Sequence, residues 1–222
     1  MYLPAHFAET RTGVMHALMR AHPLATIVTL SSSGLLANHI PLQVHDGADP
    51  QAPGILRGHV ARANPIWSDR VEAVEALVIF QGPQHYISPN WYPSKKDTGK
   101  VVPTWNYCCV HAYGQLQLHH DPVWIREQVT ALTKWHESGL PAPWAVSDAP
   151  AEYLQTMLGN IVGIEIAITR MTGKWKVSQN QPAPNRAGVI EGLSGLEPID
   201  AADAANALAM VELVRRHEPG QK

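Results

Sequence analysis

The stretch Lys100–His120, KVVPTWNYCCVHAYGQLQLHH, gathers Trp105, Tyr107, the adjacent Cys108 and Cys109, and His111, His119 and His120 into one extended segment. From Thr104 onward its residues alternate well enough for a single long β-strand, with a bend expected at Gly114. Two adjacent thiols on a strand face opposite sides, so they cannot share one metal ion without a bulge. They also lack the C-x-x-C spacing of dithiol oxidoreductases. The segment reads as pocket wall and core strand, and Cys108 and Cys109 as small packing residues.

Working outward, the strand ends at a helix signal. Asp121 is a good N-cap, and Pro122 fits the first helical position. Ile125, Val129, Leu132 and Trp135 then recur at helical spacing. AEYLQTML predicts a second, shorter helix stopped at Gly159. IVGIEIAITRMTGKWKVSQ predicts a hairpin turning at Thr172-Gly173. The last helix begins near Asp200, with Asp203 favouring its N-terminus, and ends at Arg215, Arg216 and His217 before Pro219-Gly220. On the N-terminal side, ALVIFQG is a short apolar run suited to a central strand, and HYISP a separate short strand or edge. GILRGHV is another strand. HDGADPQAPG, His45–Gly54, is a surface loop. Leu24–His45 reads as a hairpin through SSSG. A first helix is expected over Ala8–Ala21, closed by Pro23. Many short strands without βαβ alternation predict an α+β fold: an antiparallel barrel with flanking helices, in one domain over residues 1–222.

Composition narrows the function. Apolar residues make up 45% and charged residues 16% of the 222, which suits a full core and argues against disorder. The formal net charge of −2 disfavours direct nucleic-acid binding. No apolar run is long enough to span a bilayer, and MYLPAHFAETR lacks the pattern of a signal peptide. Only 2 cysteines, side by side, make no disulfide framework, so a reducing cytoplasm is expected. H-E-x-x-H and paired C-x-x-C are missing, so no protein-built metal site is expected. The missing G-x-S-x-G elbow disfavours a serine hydrolase, and the missing G-x-G-x-x-G and Walker-type loops disfavour nucleotide binding of those two kinds.

What remains is polar residues on otherwise apolar strands. ANHIPL carries Asn38 and His39 beside Ile40. RGHVARANP carries Arg57, His59, Arg62 and Asn64, with Arg57 and His59 on one strand face. TWNY carries Thr104, Trp105 and Asn106, and KWKVSQNQ carries Lys174, Lys176, Ser178, Gln179 and Asn180. Together they offer positive charge for a phosphate, amides for a heterocycle edge and rings for stacking.

MYLPAHF, ANHIPL, RGHVARANP, FQGPQHYISPNWY, VPTWNY…VHAYG and KWKVSQNQ stand in an order that resembles the PaiB-like FMN-binding negative transcriptional regulators. The resemblance implies a split β-barrel like that of pyridoxamine-phosphate oxidase, and a homodimer with FMN at the subunit interface. It implies that His59, Arg62 and Asn64 serve the phosphate end and that Asn38, His39 and Ile40 border the ring. Trp105, Asn106, Lys174 and Gln179 would complete the pocket. The activity implied is weak flavin-linked oxidoreduction or ligand-dependent, indirect regulation. Two alternatives are a direct DNA-binding repressor with flavin as effector and a haem-handling split barrel.

Overall fold

The computed structural model describes residues 1–47, 49 and 52–217. In chain order the elements are β1 (Ala8–Glu9), α1 (Thr12–Ala21), β2 (Leu24–Ser31), β3 (Gly34–Pro41), β4 (Gln43–His45) and β5 (Ile55–Ala61). There follow β6 (Ala76–Ile87), α2 (Ser94–Thr98), β7 (Thr104–His119), α3 (Pro122–Glu137) and α4 (Ala151–Gly159). The chain continues through β8 (Ile161–Lys176), α5 (Ala183–Ser194) and α6 (Ala201–Arg216). The eight strands form one antiparallel sheet in the order β3-β2-β6-β7-β8-β5-β4, with β1 added beside β8. The fold is the α+β split barrel with flanking helices that the motifs imply.

The chain divides into two compact units. The barrel unit comprises Thr12–Phe80 and His111–Met171. The terminal unit comprises Met1–Arg11, Gln81–Val110 and Thr172–Lys222.

In the barrel unit, β3 and β4 lie at opposite ends of the strand path, yet only Leu42 separates them in sequence. A sheet whose two ends are joined by one residue must curl on itself, which brings its two end strands near each other. Leu42 is 1% exposed, a burial worth about 1.5–3 kcal/mol. Gly58 marks the approach, because a Cβ there would lie 2.8 Å from both the Pro41 carbonyl oxygen and the Leu42 side chain. Period-two alternation puts Ala25, Ile27, Leu56 and Val60 inside, with Val78, Phe80, Ile164 and Ile166. The other face of β5 carries Arg57 and His59 toward α3. Helix α3 opens as expected, with the Asp121 carboxylate accepting from Val123 N at 2.9 Å. Its Ile125 packs with Val146, Leu154 and Leu158.

In the terminal unit, α5 and α6 bury Val189, Leu193, Met210, Val211 and Val214. Trp91 lies against Gly188 and Gly192 of α5, where a Cβ would come within 1.9 Å of the Trp91 carbonyl oxygen and 2.3 Å of its ring. The buried Arg186 donates to Val214 O at 2.7 Å.

Several expectations change. Ala8–Glu9 does not begin the first helix; it pairs with Lys174 and Gly173 of β8, so α1 starts at Thr12. The Leu24–His45 hairpin stops at Pro41, because Gln43–His45 pairs with β5 instead. ALVIFQG and HYISP are one strand: Gly82 and Pro83 are punctuation by composition, but Gly82 keeps ordinary strand geometry. The hairpin at Thr172-Gly173 is also absent. Gly173 has no positive φ, and β8 runs straight through it. Gly114 lets β7 pass close to β8, since a Cβ there would lie 2.2 Å from Ala167 O. Helices α2 and α5 carry no clear helical signal, α5 because two glycines and an asparagine are weak helix formers. Part of the His45–Gly54 loop, and Pro219-Gly220, lie outside the described residues.

Candidate functional site

Asn64 stands just past the end of β5, where its side-chain oxygen accepts from Ile66 N at 3.0 Å and caps the turn Pro65–Trp67. The same amide turns its nitrogen outward and donates to Asn38 Oδ1 at 2.7 Å. That bond draws the ANHIP and RANP segments together. Asn38 follows the inward face of β3 with Ile40, which is buried, whereas His39 points to the opposite face and is exposed. The Nδ2 of Asn38 is buried and has no partner among the described residues.

Arg62 is exposed and sits at the C-terminal end of α4. Its Nε donates to Gly159 O at 2.8 Å and its Nη2 to Ile161 O at 2.9 Å, while its backbone N–H reaches Asn160 O. A cation is favoured there by the unpaired carbonyls of a helix end. Two of the five guanidinium N–H groups are used in this way. Trp67 Nε1 donates to Arg62 O at 2.8 Å, and its ring meets His120 edge-on. His59 turns away from this corner, toward α3, and donates through Nδ1 to Gln128 Oε1 at 2.8 Å. Asn38 and Asn64 are therefore brought into contact, and His59 is held elsewhere by a residue, Gln128, that no sequence signal marked.

The other sequence-predicted residues lie in the terminal unit. Trp105 is 48% exposed, donates to Gln84 Oε1 at 3.1 Å and meets Tyr86 edge-on. Lys176 donates to Thr104 Oγ1 and to Trp105 O. Burial and then the neighbouring Lys174 hold its ammonium pKa below the usual lysine range. Lys174 is buried, donates to Tyr2 O at 3.1 Å and lies near the rings of Tyr2 and Tyr107. Asn106 is 1% exposed and donates to Ser178 Oγ at 2.8 Å, leaving its Oδ1 without a partner among the described residues. Ser178 has φ 63°, the left-handed region where a serine is strained. Gln179 folds back on its own turn, bonded to Val177 N and Trp175 O.

Cys108 and Cys109 are both buried. Burial pushes each thiol pKa up, most strongly at Cys108. Among the described residues no three His, Cys, Asp or Glu side chains are grouped to hold a metal ion. No helix among them is long and apolar enough to cross a membrane.

A family model described as "Putative FMN-binding domain" matches residues 1–170. Protein AN0679 of Emericella nidulans is 35% identical, over 95% of this chain and 96% of its own. Protease synthase and sporulation protein PAI 2 of Bacillus subtilis is 30% identical, over 92% of this chain and 95% of its own. Among solved structures, protein Rv2991 of Mycobacterium tuberculosis superposes with a TM-score of 0.57 at 10% identity. That match covers 82% of this chain and 94% of that one, and it speaks to the fold alone.

Proposed function

Since the chain belongs to the family described as "Putative FMN-binding domain", which matches it over residues 1–170, we propose that it binds FMN beside the end of β5. The observation that carries this reading is the 2.7 Å bond from Asn64 to Asn38, which joins two motif segments distant in sequence. The residues there suit the group. Arg62 offers a cation with N–H groups beyond those spent on the α4 end, as a phosphate requires. The Nδ2 of Asn38, without a partner among the described residues, is a donor for a carbonyl at the edge of a flat ring. When bound, FMN supplies redox chemistry that no side chain here has. The protein orients it, balances its phosphate charge and shields it from water.

The exposed outward residues Leu24, Leu35 and His39 of the β2–β3 hairpin support a homodimer that covers this face. In this reading the partner subunit contributes to the flavin pocket. The formal net charge of −2 supports an indirect influence on transcription, through the flavin or a small molecule.

FMN titration of the purified protein, followed by flavin fluorescence, tests the proposal. Arg62→Glu is expected to weaken uptake at least tenfold and Asn38→Ala less, with melting temperature checked in parallel. Uptake unchanged in a folded Arg62→Glu protein overturns the phosphate assignment. A Soret band in the protein as purified, with no flavin uptake, favours haem instead. A monomer by light scattering that holds flavin overturns the shared pocket, and salt-sensitive retardation of promoter DNA overturns the indirect role.

A further inference from the structure

Within the barrel unit a cavity of about 270 Å³, lined by neither Asn38 nor Asn64, opens between β4, β5 and α3. Its walls are Gln43 and His45 of β4, Arg57 of β5, and Trp124, Glu127 and Gln128 of α3. Two of these side chains are buried amides with unspent hydrogen-bonding capacity. Gln43 is 7% exposed and Gln128 is 4% exposed. Neither Gln43 Oε1 nor Gln128 Nε2 has a partner among the described residues. Gln128 Oε1 lies 2.8 Å from His59 Nδ1, so its oxygen is the spent end and its nitrogen the unused one. One wall therefore keeps an unused acceptor and another an unused donor. Leaving such a group unpaired is costly, so an occupant that meets both is favoured.

The charges lining the space select the class of occupant. Arg57 is already committed, with its Nε 2.6 Å from Glu165 Oε2 and its guanidinium over the Trp124 ring. Glu127 adds a carboxylate, so the walls hold no spare positive charge. Burial, and then the field of Arg57, lowers the His45 pKa, which leaves that imidazole neutral at pH 7. An anion has no counter-charge here. A single water, at about 30 Å³, would leave most of the space unfilled.

We propose that this cavity is a second ligand site, separate from the flavin site, for a small neutral planar molecule bearing a carboxamide or ring lactam. The ligand's N–H donates to Gln43 Oε1 and its C=O accepts from Gln128 Nε2. The apolar parts of Trp124 and Ala131 bound its ring.

Uracil and nicotinamide are the probes, with nicotinate as the anionic control, each titrated into the full chain with excess FMN present and read by ligand-observed NMR. Saturable binding is expected for at least one neutral amide, with nicotinate at least tenfold weaker. Gln43→Leu removes the acceptor and is expected to abolish binding. Ala131→Trp, on an exposed helical position, is expected to block the cavity without disturbing the core, and FMN uptake should stay unchanged. Absence of saturable binding by either amide means that the cavity holds water only, and overturns the proposal. So does nicotinate binding as tightly as nicotinamide, or amide binding that survives a folded Ala131→Trp protein.

Discussion

Gly114 of the barrel unit and Gly188 of the terminal unit both stand where a methyl group would strike a backbone oxygen, at 2.2 Å and 1.9 Å, but they protect different things. Gly114 lies within a strand, and the oxygen it spares belongs to the neighbouring strand β8. A side chain there pushes apart a ladder that the whole barrel shares. Gly188 lies in a helix, where glycine costs about 1 kcal/mol relative to alanine. The terminal unit accepts that cost to seat Trp91 against α5. The barrel unit is held by closure, in which every strand depends on the others. The terminal unit is held by aromatic contacts at Trp91 and Trp105, a buried helix pair and the pairing of β1 with β8. Closure also positions β3 and the end of β5, and with them the Asn38 and Asn64 of the proposed flavin site.

The largest expected effect is at Gly114. Gly114→Ala should cost about 3 kcal/mol by denaturant unfolding, the upper end for overpacking, and should weaken FMN uptake as well. Gly188→Ala should cost about 2 kcal/mol, since the helix gains from alanine while Trp91 is displaced, and uptake should change little. Gly13→Ala, with open space around the added Cβ, is the control and should be neutral or stabilising by about 0.5 kcal/mol. Equal melting temperatures for Gly13→Ala and Gly188→Ala would break the comparison.

A smaller effect follows from Glu9. Burial raises its carboxyl pKa, but the Arg11 guanidinium at 2.6 Å and the Arg11 N–H at 2.8 Å outweigh it, so the net value lies below the ordinary 4.5. A lowered carboxyl pKa contributes stability above its unfolded value and loses it as pH falls through the folded one. Glu9→Gln should therefore cost about 0.5–1 kcal/mol near neutrality and little below pH 4. Unfolding curves across that acid range would show the difference narrowing. The smallest effect is at the thiols. Cys108 and Cys109 should resist a thiol reagent at pH 8 in the folded protein, and both should react in denaturant. Rapid labelling of the native chain would contradict the burial that raises their pKa values.

The long strand over Thr104–His119, the Asp121 cap of α3 and the Asp200 cap of α6 were readable because their signals sit within a few residues. Glycine was read less well. Gly34, with φ 119°, does sit in the expected turn and Gly114 in the expected strand, but Gly173, expected to turn a hairpin, is a strand residue. A glycine that relieves contact with a distant backbone looks like one that makes a turn. The candidate site was legible only as separate segments. Asn38 and Asn64 do meet, but Gln128, which holds His59, carries no motif and becomes a partner only when α3 lies across β5.

The sequence by itself determined the family, the antiparallel class and the caps, because periodicity, turn chemistry and motif order are local properties of the chain. Only the tertiary structure decided that Pro41 and Gln43 belong to opposite ends of one sheet, that Arg62 spends two N–H groups on α4, and that two buried amides face one cavity. These are pairings between residues far apart in sequence. Their energies depend on which surfaces closure brings together, and no short window of residues contains that information.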